Sequence, residues 1–122
     1  MAKINGKAKV IADYDAESDS LAIIFTDKKS SGAIELGDVI VDFDYKKDIA
    51  GIEILNASNF LTSLTKETIT KDMLTNIVKS ELRTKHIGNN IIITFAIEMP
   101  SRKVEENITI AAISEDKMAA IA

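Results

Sequence analysis

Apolar residues return at every second position in stretch after stretch of this chain, a period that commits most of it to β-structure. From Ser20 to Thr26, Leu21, Ile23 and Phe25 fall on one face and Ala22, Ile24 and Thr26 on the other. Both faces are mostly apolar, so this strand is either central or covered on both sides. Val39 to Asp44 sets Val39, Val41 and Phe43 against Asp42 and Asp44, and Ile49 to Leu55 sets Ile49, Gly51, Glu53 and Leu55 against Ala50, Ile52 and Ile54. Asn90 to Glu98 alternates strongly through Ile91, Ile93, Phe95 and Ile97, while Lys9 to Tyr14 and Val104 to Ile113 read as further strands.

The breaks between these runs have recognisable chemistry. Asp15 to Asp19 is a turn of short polar side chains that compete for their own backbone, and Asp27 to Gly32 is a loop. Tyr45 to Asp48 reads as a hairpin connection, and Pro100 to Lys103 as a turn. A short helix is expected from about Ser58, where Asn56, Ser58 and Asn59 can cap and Phe60, Leu61 and Leu64 follow at helical spacing. A longer helix is expected from about Thr70 to Lys85. Thr70 would cap it, Asp72 complements its dipole, and Met73, Leu74, Ile77, Val78 and Leu82 form its stripe. Arg83, Lys85 and His86 would crowd its last turn and Gly88 would end it. A short terminal helix is expected over Ser114 to Ala122. The expected fold is therefore α+β in one domain, 1–122. A mainly antiparallel sheet of about six strands, a β-meander plus a C-terminal hairpin, carries one short and one long helix.

Composition narrows the chemistry. With 46% hydrophobic residues in 122, the chain can build an ordinary core without cross-links. Having no cysteine, it has no disulfide, thiolate metal site or thiol nucleophile. A net charge of −4 argues against a nucleic-acid partner, and no apolar run is long enough to span a membrane. The N-terminal residues lack the apolar stretch of a secretory signal, which points to the cytoplasm.

Three segments carry a family resemblance. They are Tyr14 to Ile23; Glu35-Leu36 with Val39 to Asp44; and Ile49-Ala50-Gly51-Ile52-Glu53-Ile54-Leu55-Asn56-Ala57-Ser58. In that order they resemble the domain of unknown function 2283, over about residues 9–62, with residues 63–122 an extension that short members lack. The resemblance implies a small β-meander followed by a helix. Ala22 and Ile24 depart from it, standing where an aromatic and a basic residue are more usual. No activity attaches to the family as a whole, so it implies no catalytic residues. Toxin-like neighbours of some short members hint at an antitoxin-like partner role.

Candidate sites follow from residue type. Asp13, Asp15, Glu17 and Asp19 alternate like the start of a calcium loop, but Ser18 stands where that loop needs glycine and Ile24 where it needs a bidentate glutamate. A self-bonding turn explains them as well. Asp42 and Asp44 could meet Asp13 and Asp15 across the sheet and hold a hard cation or raise one another's pKa. A lone His86 cannot build a histidine metal site, Ser30, Ser31 and Ser58 lack a nucleophile-elbow context, and the glycines are too scattered for a phosphate loop. Lys79 and Arg83 would form a basic helix end. Ala22, Ile24, Ile92 and Ala96 fall opposite the expected core, where a monomer's sheet usually shows polar residues. These four are the interface candidates. The expected function is a non-catalytic interaction or self-assembling module, a homo-oligomer with the dimer favoured, without cofactor. Alternatives are an antitoxin-like regulator of another small protein, and a metal- or small-molecule-binding domain using the clustered Asp residues.

Overall fold

The computed structural model describes residues 9–110. Eight strands and two helices follow in the order β1 (Val10–Asp15), β2 (Ser20–Phe25), β3 (Gly32–Leu36), β4 (Val39–Phe43), β5 (Ile49–Ile54), α1 (Ala57–Thr65), α2 (Lys71–Thr75), β6 (Lys79–Ile87), β7 (Asn90–Met99) and β8 (Arg102–Ile110). Every pairing is antiparallel. The α+β class therefore holds, in two sheets.

The first sheet has the order β1-β2-β5-β4-β3. It is the meander β3-β4-β5 docked through β5 onto the hairpin β1-β2, rather than four strands in sequence order. Burial explains the placement. All but one residue of β5 is buried, so it belongs in the middle of the sheet, while β1 alternates between half-buried and exposed as an edge does. β2, apolar on both faces, lies between β1 and β5 as its sequence demanded. A bulge between Asp42 and Phe43 makes Ala50 an extra residue, which turns Ile49 into the core beside Phe43 instead of outward with Gly51. Strand β3 was not expected. It turns into β4 through Gly37-Asp38, with Gly37 at φ +65°, a conformation costly for any side chain.

The second sheet, β6-β7-β8, replaces the end of the helix expected over 70–85. Thr70 does cap, accepting from the Met73 amide at 3.2 Å, but α2 stops after five residues. From Lys79 the chain pairs with β7, Leu82 opposite Phe95 and Thr84 opposite Ile93. Two-residue turns close both hairpins, and Gly88, at φ +59°, serves the first of them rather than a helix end. The terminal helix expected over 114–122 lies outside the described residues, as does the end of the last expected strand.

One continuous apolar cluster joins the inner faces of both sheets. Leu21, Ile23, Val41, Ile52 and Ile54 come from the first, and Ile91, Ile93, Phe95, Ile97 and Val104 from the second. Leu61 of α1 and Leu74 of α2 enter the same cluster, so both helices serve the inner side. The sheet faces pointing away from this core are the surfaces on which function has to be sought.

Candidate functional site

The most elaborately built polar site gathers around Asp19. This residue closes the β1–β2 turn at φ 55°, a left-handed conformation that Asp and Asn tolerate best. Its carboxylate is buried at 7% exposure. It accepts the Tyr14 hydroxyl at 2.7 Å, the Ser58 hydroxyl at 2.7 Å and the Ser58 amide at 3.1 Å, while its carbonyl accepts the Ala57 amide at 2.9 Å. Ser58 lies in the first turn of α1, whose own preceding residue, Asn56, makes no side-chain cap. Asp19 thus caps α1 from 39 residues away. Burial opposes the charge, but the bonds from Tyr14 and Ser58, with Lys71 nearby, outweigh it and hold the Asp19 carboxyl below its usual value. Burial, reinforced by the Asp19 carboxylate, pushes the Tyr14 hydroxyl up, so it stays a donor. Asp19 and Tyr14 were not singled out as a pair in the sequence; no local pattern joins them to Ser58.

The four acidic candidates do not converge. Asp13 lies on β1 and Asp42 on β4, with β2 and β5 between them, roughly 14 Å at the usual strand spacing. Asp15 accepts the Glu17 amide at 3.0 Å in its own turn. Asp44 lies past the end of β4 and builds the β4–β5 turn. Its carboxylate accepts the amides of Lys46 at 2.9 Å and Asp48 at 3.0 Å, and Lys28 approaches to 3.7 Å. Among the described residues no three acidic or histidine side chains come together as a metal site. His86 and the Lys79/Arg83 pair stand on strand β6, not at a helix end.

Asp42 instead faces Glu53. The pairs Asp42–Gly51 and Ile40–Glu53 set the two carboxyls diagonally across β4 and β5 on the outer face. Partial burial and the proximity of Glu53 push Asp42 up to about 7, with the Ser30 hydroxyl, 3.3 Å away, opposing. A folded state that holds this proton more tightly than the unfolded chain is favoured at low pH and loses that advantage as pH rises toward 7. Asp42→Asn, which mimics the protonated form, is therefore expected to stabilise the protein by about 1 kcal/mol at about pH 8, allowing for solvent screening. It should change little near pH 4, where wild type is already protonated. Thermal melts at the two pH values check this, and equal effects at both would count against a shared proton.

The interface candidates divide between two outer faces. Ala22 and Ile24 lie on the first sheet, in rows that run Asp13–Ala22–Glu53–Ile40–Glu35 and Ile11–Ile24–Gly51–Asp42–Ala33. Ala22, Ile24 and Ile40 are half-buried. Ile92 and Ala96 lie on the second sheet, Ile92 between Lys85 and Thr109, Ala96 between Glu81 and Glu105. Ile92 lines a concavity of about 290 Å³ with Arg83, Thr84, Lys85 and Thr94, whereas Ala96 is buried beneath its neighbours.

Comparison with known proteins places this architecture. Residues 12–58 match the model of a protein family of unknown function, DUF2283. An uncharacterized protein of Methanocaldococcus jannaschii is 37% identical over 97 residues, 80% of this chain and 79% of that protein. The chain belongs to the DUF2283 family. The family segment runs from β1 to the start of α1, and Tyr14, Asp19 and Ser58 tie its two ends together. In this chain the matched segment therefore contains a joint of the fold. The match to the M. jannaschii protein is too long to stop at Ser58, so that relative shares part of the extension. A Methanosarcina mazei protein, named as a candidate hypoxanthine phosphoribosyltransferase, is 33% identical over 90 residues, 74% of this chain and 68% of that protein. No solved structure matches the chain. Among the described residues no helix is long and apolar enough to cross a membrane.

Proposed function

We propose that this DUF2283 chain is a non-catalytic protein-interaction module that works by self-assembly through the outer faces of its sheets. One observation carries the proposal. Ala22 and Ile24 lie side by side on the outer face of β2, and Ile40 lies on the same face of the first sheet across Glu53 of β5, while both helices and the second sheet pack against the inner face. An antiparallel sheet with one solvated face normally presents polar residues there, and half-buried isoleucines on such a face mark a contact surface.

The other roles draw less support. Cation binding through Asp13, Asp15, Asp42 and Asp44 would need side chains that the strand order keeps apart. The name of the M. mazei relative raises phosphoribosyl transfer, which requires a place for phosphate groups. Helix N-termini are the usual one, but the N-terminus of α1 is occupied by the Asp19 carboxylate, which would repel an anion, and α2 is a single short turn. An antitoxin-like regulator would use the same apolar face toward a different chain.

Sedimentation velocity on the full chain is expected to give a multiple of its 13.3 kDa mass. Ile24→Glu, a change at a half-exposed position, should return the protein to the single-chain mass with an unaltered circular dichroism spectrum. Wild type that sediments as one chain at the highest workable concentration would overturn self-assembly.

A further inference from the structure

The two outer faces differ in charge as well as position. The five strands of the first sheet contain the acids Asp13, Asp15, Glu35, Asp42 and Glu53 and no lysine or arginine. The strand pairing places all five on the outer face, around Ala22, Ile24 and Ile40. The outer face of the second sheet carries Lys79, Arg83, Lys85 and Lys103 against Glu81, Glu98 and Glu105. Its acids are gathered at the Ala96 end. At the other end, Arg83 and Lys85 border the Ile92 concavity together with the uncharged Thr94. Arg83 holds Glu81 and Glu105 only loosely, at 3.6 and 3.5 Å across well-exposed side chains, and Lys85 has no ion-pair partner among the described residues.

These patterns decide between geometries of assembly. A symmetric contact between two copies of the first face would set five carboxylates against five more, and like charges brought together out of water are costly. It would also leave Ile92 uncovered. A head-to-tail contact places the acidic, apolar face of one copy on the basic, apolar concavity of the next, and so covers both apolar patches. The geometry points to a second copy of this chain as the occupant of the Arg83/Lys85/Ile92 concavity, seated there by the outer face of its five-stranded sheet around Ile24 and Ile40. This rests on the self-assembly proposed above and gives it a polarity. A contact between unlike surfaces closes into a ring or extends as a filament, so the two-fold dimer is not its product. Charge steers and orients the contact, apolar burial holds it, and added salt weakens it.

Charge exchange on exposed positions tests this geometry. In one variant Arg83→Glu and Lys85→Glu make the concavity acidic; in a second, Asp13→Lys, Asp15→Lys and Glu35→Lys set three lysines against the remaining Asp42 and Glu53 and make the sheet face basic. Each alone is expected to sediment as a single chain with wild-type circular dichroism, because each then sets like charges against like. Mixed in equal amounts they should assemble again, since each variant's altered face meets a complementary face on the other. Assembly of the Arg83→Glu/Lys85→Glu variant to the wild-type extent would overturn the head-to-tail contact while leaving self-assembly in place. Failure of the mixture to assemble, with both variants folded, would also overturn it. A wild-type protein that never assembles removes both proposals.

Discussion

Asp19→Ala is expected to destabilise the protein by about 4 kcal/mol, lowering its melting temperature by ~15 °C, although it deletes only a carboxylate in a turn. Three donors lose their acceptor together: the Tyr14 hydroxyl, the Ser58 hydroxyl and the Ser58 amide. An unsatisfied buried donor costs about 1–3 kcal/mol, and losing a helix cap typically costs about 1 kcal/mol. Alanine must also hold φ 55°, where aspartate is at home. Asp19→Asn separates these contributions. It keeps the left-handed backbone and one acceptor oxygen, so about 1–2 kcal/mol should be lost, chiefly from the charge on the α1 N-terminus. Urea denaturation of both variants checks the ordering. An alanine variant as stable as the asparagine one would mean that water, not Asp19, satisfies the end of α1.

The same carboxylate sets a pH dependence with a definite sign. Its folded-state pKa lies below the ordinary 3.8, so above that value the ionised group contributes its full stabilisation. As pH falls below about 3.8 the unfolded chain takes up the proton first, and the contribution is lost. Wild type and Asp19→Asn should therefore differ at neutral pH and converge on acidification. Asp42 works in the opposite direction, its contribution declining as pH rises toward 7.

Much of this fold was legible in the sequence because the apolar period of its strands is strong. β2, β4, β5 and β7 could be read from alternation alone, and the hairpin at Tyr45–Asp48 from its polar residues. β6 was misread for a physical reason. Lys79, Glu81, Leu82, Arg83 and Lys85 favour helices intrinsically, and Leu82 completes a helical stripe with Leu74 and Val78. Pairing with the apolar strand β7 overrides that preference. The opposing signal was present, because charges at 79, 81, 83 and 85 recur with the period of a strand. Strand β3 buries only Ile34 and leaves no alternation long enough to count, though Gly37-Asp38 carried a turn signal. The Asp19 site is another kind of case. Its parts lie at residues 14, 19 and 58, and only the folded chain brings them together.

Gly51 makes the same point about the outer face and supports the second large prediction. Replacing a glycine inside a strand by alanine ordinarily helps, by roughly 0.5–1 kcal/mol, because the unfolded chain loses freedom. At Gly51 the sign should reverse. A Cβ there would lie 2.8 Å from the Ile23 carbonyl oxygen and 2.8 Å from Ile24 Cγ2, since the Ile24 side chain lies across the bare backbone of β5. The carbonyl belongs to the adjoining strand at the centre of the sheet and cannot retreat without disturbing the β2–β5 pairing. Gly51→Ala is thus expected to cost about 3 kcal/mol. Adding Ile24→Ala removes one of the two clashes but not the carbonyl, so the double variant should recover part of the loss, a coupling readable from a double-mutant cycle. Full recovery would assign the whole cost to the side chain. No coupling would mean that the Ile24 side chain does not lie over Gly51.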